Sequence, residues 1–274
     1  MKSRLFNAIK QSSKEEFSLL SKAQIFNIDN VAEYYWQSPQ ENWHIEKDFP
    51  ILTLPFDTCY FEYRMPEGQN DVLQNCGILA QKGLRVSSGT SIDFLVYFTT
   101  QKAYFYAGAV TLIIDDKGMS VPIPGHEPLS MAFYMPEEYV NENTREQMQD
   151  NLSTALHPCW LAISFLHCKN VTIEQRGAGL NFGRRKRHEP NIRYHVLVIE
   201  PMKKILKTEG RSDEVGIKRA LYICRGHFKD FRETGLFGKF RDIYWWNPQV
   251  RGKVENGIVL KDYNVDAPNE PEEK

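Results

Sequence analysis

Residues 49–66 read FPILTLPFDTCYFEYRMP, and at this point the chain changes from helical to strand-like periodicity. Apolar and polar residues alternate imperfectly along the segment, as they do in half-buried strands. Pro50, Pro55 and Pro66 interrupt the alternation. Because proline cannot donate a backbone hydrogen bond to a neighbouring strand, such a segment is typical of edge strands. A β-rich region therefore begins here.

Strand-like segments separated by glycine-containing turns continue from this region as far as Ile114. The sequence DDKG at residues 115–118 then predicts a tight turn before Val121, because Asp and Gly adopt turn conformations readily. We expect residues 50–125 to form an antiparallel β meander. Aromatic residues make up 12% of the chain, which agrees with a β-rich protein because flat rings suit a pleated surface.

Two consecutive helices are predicted after the meander. The sequence TREQ at residues 144–147 resembles a capping box, in which side chains satisfy the first backbone N–H groups of a helix. A helix over residues 144–156 should end at His157, because the residue before a proline is pushed out of the helical region. Pro158 can then open a second, largely apolar helix. The predicted fold class is α+β, with mainly antiparallel β-sheet and a central helical pair.

Charge is distributed unevenly along the chain. Residues 176–253 hold 19 of the 34 Lys and Arg residues but only 8 of the 35 Asp and Glu residues, a local excess of 11 positive charges. The remainder carries a net charge of −12, although the whole chain is close to neutral at −1. We predict an acidic β-rich region over residues 1–142, a basic α+β region over residues 143–266 and a disordered tail over residues 267–274. One compact domain is the alternative.

The cysteines and the apolar runs predict a cytoplasmic protein. The five cysteines are widely spaced and form no CxxC pair, which favours reduced thiols. The N-terminal sequence lacks the apolar core of a signal peptide. The longest apolar run, residues 103–114, is shorter than the roughly 20 residues that span a bilayer. We therefore expect no membrane contact.

The sequence contains no clear cofactor or metal motif. The glycines of residues 177–183 match neither GxGxxG nor a P-loop, which disfavours nucleotide binding. His157, Cys159, His167 and Cys168 are side-chain types that bind zinc, but their spacing matches no standard ligand pattern. We expect neither a cofactor nor a bound metal.

The basic region contains histidines and cations that suit metal-independent phosphodiester cleavage. A strand over residues 220–231 would direct three of them to one face, and a neighbouring strand over residues 193–200 would add a second histidine. Two histidines can act as base and acid while Arg or Lys stabilises the charge on phosphate. A solvated or ion-paired face without chemistry is the alternative. The predicted catalytic residues are His195, His227, Arg225 and Lys229.

Further cations and one aromatic residue of the basic region are predicted to bind nucleic acid. The sequence RRKR at residues 184–187 lies on a glycine-containing loop and would contact phosphates through its charge. An exposed indole beside cations can stack on a base. Cations that only keep the protein soluble, and an indole that packs in the core, are the alternatives. The predicted binding residues are Arg176, Arg184, Arg185, Lys186, Arg187, Arg193, Lys239, Arg241, Trp246 and Arg251.

Two functions from different classes are compatible with this pattern. The first is a nucleic-acid-binding protein for RNA or DNA, which would be a metal-independent ribonuclease if the histidines act. The second is a non-enzymatic interaction factor of mobile-element or phage type, whose basic face binds an acidic partner. In that case aromatic residues, among them Phe237 in GLFGK, would be hot spots. The sequence leaves the oligomeric state and the strand order open.

Overall fold

The computed structural model describes residues 5, 9, 14–37, 48–65, 75–99, 104–121, 130–133, 142–176, 194–199, 220–224, 226–246, 249–251 and 253–258. Three helices have described bounds, namely α1 (Lys14–Lys22), α2 (Asp29–Gln37) and α3 (Glu142–Leu166). Among the described residues, no helix has both the length and the apolar character needed to cross a membrane.

The described residues also contain fourteen strands, so the protein is mostly β-sheet with few helices and its fold class is α+β. The strands are β1 (Gln24–Asn27), β2 (Thr58–Arg64), β3 (Asn75–Val86), β4 (Gly89–Thr99), β5 (Tyr104–Ile114), β6 (Ser120–Val121), β7 (Ser130–Phe133), β8 (Val171–Arg176), β9 (Tyr194–Ile199), β10 (Ala220–Cys224), β11 (His227–Asp230), β12 (Ile243–Trp246), β13 (Gln249–Arg251) and β14 (Lys253–Ile258).

Nine of the described strands form one curled, half-barrel sheet in the order β6-β5-β4-β3-β2-β1-β9-β8, with β7 also paired to β5. Strands β2 to β6 are antiparallel neighbours and lie within the region where a meander was expected. β1 differs, because it runs parallel to both β2 and β9. The sheet is therefore mixed and not simply antiparallel. It also takes strands from both of the predicted charge regions.

Strand β2 is buried on both faces, which explains its imperfect alternation. Phe61 and Tyr63 point into the main core beside α3, whereas Tyr60 points into a smaller core on the opposite face. The Tyr60 hydroxyl donates a hydrogen bond to the buried Glu62 carboxylate at 2.9 Å. With both faces covered, the strand needs no regular polar face. The smaller core also contains Leu5, Ile9, Leu20, Leu79 and Tyr97.

The second half of α3 packs against this sheet and is enclosed by it. Trp160 and Phe165 are completely buried, and the Trp160 ring lies edge-on to Phe94 of β4 at a centroid distance of 6.2 Å. The Tyr63 hydroxyl of β2 donates a hydrogen bond to the Ala155 carbonyl at 2.7 Å. A helix that is apolar on all sides is stable only where other elements cover every face. α3 is therefore the centre of the main core.

The helical pair predicted on either side of His157 is a single helix in the structure. α3 continues through Pro158, which has no backbone N–H and so removes one helical hydrogen bond, at a cost of about 3 kcal/mol. Residues on both sides of the proline, among them Leu156 and Trp160, are completely buried. Burying each such side chain contributes about 1.5–3 kcal/mol, so packing outweighs the local preference for a break.

Two small sheets complete the described part of the chain. β10 pairs with β13 and β14, whereas β11 pairs only with β12. The single strand predicted over residues 220–231 is therefore two strands with separate partners, and residue 225 between them lies outside the described residues. His227 and Lys229 keep the common face that was predicted. Phe228 between them points the opposite way and packs against Phe165 of α3.

We expect Gly89→Ala to destabilise the protein. Gly89 begins β4 with a φ of 152°, and a Cβ at this position would lie 2.2 Å from the Ile114 carbonyl oxygen. The backbone of β5 would have to move, so the free energy of unfolding should fall by about 2 kcal/mol or more in urea denaturation. Ser88→Ala, at the adjacent exposed position, is the control and should cost less than about 0.5 kcal/mol. Equal effects of the two substitutions would contradict the steric explanation.

His157 should make the stability of the protein depend on pH. Its ring packs against Phe49 and Trp160 and lies 2.8 Å from the Tyr35 hydroxyl, and burial lowers its pKa to about 4. Between pH 6.5 and pH 4 the unfolded chain therefore binds a proton that the folded protein does not, so stability falls as the pH falls.

The predicted loss attributable to His157 between pH 7 and pH 5 is about 2 kcal/mol. Urea denaturation of wild type and His157→Gln at both pH values measures it. The variant lacks the titrating ring, so its stability should decline less over this interval by about that amount. Parallel pH profiles for the two proteins would show that His157 does not titrate in this way.

Candidate nucleic-acid interface

An asparagine side chain helps to attach the β11–β12 hairpin to the main core. Asn170, just after α3, donates from Nδ2 to the Trp245 carbonyl and accepts the Trp245 N–H on Oδ1, each at 2.9 Å. The Lys169 N–H donates to the Ile243 carbonyl at 2.9 Å. These bonds satisfy buried backbone groups of β12 that would otherwise lack partners. The hairpin position is thus fixed relative to the end of α3.

The two faces of this hairpin have different roles. On the inner face, Phe228 and Trp245 pack against each other and against Phe165 of α3, with ring centroids 4.7–5.4 Å apart. On the outer face, His227 is exposed and is the cross-strand partner of Trp246. The inner face therefore contributes to the core, and the outer face carries the predicted functional residues.

Trp246 is not the exposed platform that was predicted for base stacking. Its side chain is only 8% exposed, because Phe231 packs against it at 5.7 Å and the Lys229 ammonium lies 4.5 Å from its ring centroid. Attraction between a cation and the electron-rich ring face holds Lys229 in that position. Lys229 and Trp246 therefore contact each other, and the indole face on that side is covered.

The loop between β11 and β12 turns sharply at residues 236–240. The Lys239 and Phe240 N–H groups both donate to the Leu236 carbonyl, at 3.2 and 3.1 Å. Phe237 and Gly238, the central residues, have positive φ angles of 54° and 70°, the signs that characterise a type I′ turn. Asn-Gly is the favoured pair there, and a positive φ costs a residue with a Cβ about 1–2 kcal/mol. Phe237 is therefore strained, and its side chain is 59% exposed.

The cations near this turn differ in what they contact. Arg232 binds Asp230 through Nε and Nη2, at 3.0 and 2.6 Å, and its N–H groups hold the pKa of that carboxyl below its usual range. Lys239 and Arg241 are exposed beside Phe237. The side of Gly238 is open to the described residues, since a Cβ there would have none of their atoms within 4 Å apart from those of its chain neighbours. One exposed ring with two exposed cations thus lies at the tip of the loop.

A second group of predicted residues lies at one end of the β8–β9 pair. Arg176, the last residue of β8, is the register partner of Tyr194, the first residue of β9. The basic segment over residues 177–193 therefore starts and ends at the same place on the sheet. Its own cations, Arg184, Arg185, Lys186, Arg187 and Arg193, lie outside the described residues. Arg176 is exposed and binds Glu174 at 2.9 Å.

The two predicted catalytic histidines lie in separate sheets and not on neighbouring strands. His195, in the large sheet, pairs with Phe26 and Gln175, and its Nε2 lies 3.2 Å from the Gln24 side-chain oxygen. Burial lowers the pKa of His195. His227 belongs to the β11–β12 hairpin.

The structure describes the strand of Arg251, which was predicted to bind nucleic acid, but not Arg225, which was predicted to be catalytic. Arg251 pairs with Tyr222 in the three-stranded sheet, and Arg225 lies outside the described residues. Gln175, the register partner of His195, lies four residues along β8 from Val171, which is about 13 Å. The hairpin that carries His227 is attached next to Val171, at Asn170. The two-histidine site stays a prediction.

The side chains of zinc-binding type in α3 and directly after it make other contacts. The His167 Nε2 lies 2.8 Å from the Thr53 carbonyl oxygen, and the Cys168 thiol donates to the Ser164 carbonyl. Cys59, Cys76, Cys159 and Cys168 are buried, and burial raises the pKa of Cys76 to about 12. Within the part of the chain that the structure describes, no three His, Cys, Asp or Glu side chains are grouped to hold a metal ion.

No protein-family model matches the chain, and no curated protein is significantly similar to it in sequence.

Two features that organise the hairpin have little or no signal in the sequence. The pairing of Asn170 with Trp245 joins residues 75 positions apart, and no local pattern indicates it. The strained turn had a partial signal, because Phe237 lies in GLFGK between two glycines. Glycines on both sides indicated a loop tip but not the positive φ of the phenylalanine itself.

We expect Asn170→Ala to release the hairpin from the core. The substitution leaves the buried N–H and C=O groups of Trp245 without these partners, at about 1–3 kcal/mol each. Trp245 would become more exposed, so tryptophan emission should shift to longer wavelength, and stability in urea should fall by about 2–4 kcal/mol. Asn30→Ala, which removes a partly buried bond from an exposed asparagine side chain to the Leu197 carbonyl, is the control. A wild-type spectrum in Asn170→Ala would contradict this role.

Proposed function

We propose that this chain is a nucleic-acid-binding protein that works through its basic C-terminal half. The observation that carries the proposal is the pairing of Arg176 with Tyr194, which brings both ends of the basic segment to one place on the sheet. Half of the segment over residues 177–193 extends at most about 30 Å from that pair. The four cations at residues 184–187 are therefore tethered near the exposed Arg176.

Clustered cations bind nucleic acid because they replace the counterions that surround the phosphates. Each phosphate that is neutralised releases counterions into solution, so affinity falls steeply as the salt concentration rises. Tethering keeps the four charges within one region and so raises their local concentration around a phosphate backbone. This mode of binding requires neither a metal nor a nucleotide-binding motif, and it carries little sequence preference.

The proposal concerns binding, and cleavage of the bound nucleic acid would be an additional activity. A metal-independent ribonuclease needs a base and an acid within hydrogen-bond reach of the same phosphodiester. His195 and His227, the residues predicted for these roles, lie on different sheets. Binding by the basic segment is independent of where they lie.

An interaction factor that binds an acidic protein is the second candidate function. The observation that favours it is Ile173, which is 44% exposed on β8 beside Glu174 and Arg176. Strand β8 is the last strand in the order of the large sheet. An edge strand with an exposed apolar side chain is a common place for a partner protein to bind. On this alternative the basic segment would meet carboxylates instead of phosphates.

Fluorescence anisotropy with labelled RNA and DNA strands at several salt concentrations tests the proposal. The wild-type protein should bind, with log affinity falling linearly as log salt rises. Replacing Arg184, Arg185, Lys186 and Arg187 by Ser should reduce that slope by about 3, since each contact with a single strand contributes about 0.7.

The matched control makes the same change of charge in the acidic half. Arg64, Arg85, Lys117 and Lys22 are all exposed there, and replacing them by Ser should leave the salt slope unchanged. Equal losses in the two variants would mean that total charge alone drives binding. No binding to either nucleic acid at low salt would overturn the proposal and favour the protein-binding alternative.

A further inference from the structure

The backbone at Phe237 is unfavourable for its side chain. Among the described residues, it is the non-glycine residue with a positive φ, at 54°, a region in which its Cβ is crowded by the backbone. Asn or Gly would form the same turn with less strain. Strain of this kind persists where the surrounding structure enforces it, and it is concentrated at functional sites. The side chain itself is therefore the feature to explain.

The exposed ring is too small to be a protein interface. Phe237 is 59% exposed, which corresponds to roughly 120 Å² of ring surface. Its apolar neighbours Leu236 and Phe240 turn inward and pack on Tyr244 and Trp246. A specific protein interface buries about 800 Å² on each partner. One flat ring does match the area of a single planar ligand.

The surroundings of the ring select the chemistry of that ligand. Lys239 and Arg241 are exposed two and four residues further along the loop, so a ligand on the ring lies next to positive charge. The side of Gly238 is open and leaves room for it. A nucleotide within a single strand fits these surroundings, because it presents a planar base next to a charged phosphate, and aromatic rings beside cations hold single strands in this way.

We propose that Phe237 stacks on an unpaired base of single-stranded nucleic acid, with Lys239 and Arg241 contacting the adjoining phosphates. The inference rests on the proposed function and adds to it a preference for unpaired bases. In a duplex the base faces stack on one another, so the ring has no face to contact. The basic segment at residues 177–193 supplies charge, and Phe237 supplies the selection of single strands.

The test combines protein variants with probes that lack bases. Labelled single strands, the matching duplexes and abasic strands of equal length are titrated with wild type, Phe237→Ala and Phe237→Trp. Wild type should bind the ordinary single strand about 5- to 100-fold more tightly than the abasic strand, the range expected for stacking on one base. Phe237→Ala should lose that ratio and bind both strands equally, whereas Phe237→Trp should keep it. Phe105→Ala removes a ring that is 44% exposed in the acidic half and is the matched control.

A second variant separates a role in binding from a role in folding. Phe237→Asn places the favoured residue in the turn, so it should raise the melting temperature by about 2–4 °C while weakening single-strand binding as much as Phe237→Ala. A variant that is more stable and binds less tightly cannot owe its defect to misfolding. A lower melting temperature in Phe237→Asn would show that the ring has a structural role.

The outcomes distinguish this inference from the function on which it rests. If wild type binds strands in a salt-dependent manner but Phe237→Ala keeps the preference for bases, the inference is wrong and the proposed function stands. If wild type binds single strands and duplexes equally, selection of unpaired bases is likewise wrong. If wild type binds no probe at low salt, both the function and the inference are overturned.

Discussion

The enclosure of α3 is the interaction on which the other elements depend. Between Ala155 and Phe165 the helix is buried on nearly every side, so it requires cover from several directions at once. The large sheet covers it through Tyr63 and Phe94, and α2 covers it through Tyr35, which is bonded to His157. A fully apolar helix has no stable position at a surface. The sheet must therefore curl around α3, and α2 must lie against it, for the helix to be covered.

The candidate interface depends on the same helix. Phe165 near the end of α3 contacts the inner face of the β11–β12 hairpin, and Asn170 bonds to the backbone of β12. A loop tip can keep a strained residue only if its base is held rigidly, since otherwise the backbone relaxes. The hairpin supplies that support for Phe237 because its inner face belongs to the main core. Strain at the tip is therefore sustained by packing at the base.

The site was predictable in its charge and not in its geometry. Counting cations along the chain located the basic half, and alternation placed His227 and Lys229 on one face, where the structure has them. Alternation also separated Trp245 from Trp246, but it did not indicate that loop residues such as Phe231 and the Lys229 side chain cover Trp246. A residue on the outer face of a strand is exposed only if the loop that follows does not cover it. The contact between loop and strand is not indicated by any local sequence pattern.

The sequence by itself determined the elements whose patterns are local. The antiparallel run from β2 to β6 and strand β9 follow from alternation and turn residues, and the uneven distribution of charge follows from composition. The tertiary structure decided the rest. β1 lies parallel between β2 and β9, and α3 continues through Pro158, because each outcome is stabilised by contacts between residues far apart in the chain. A proline disfavours a helix locally by about 3 kcal/mol, and only the burial of its neighbours in the folded core exceeds that cost.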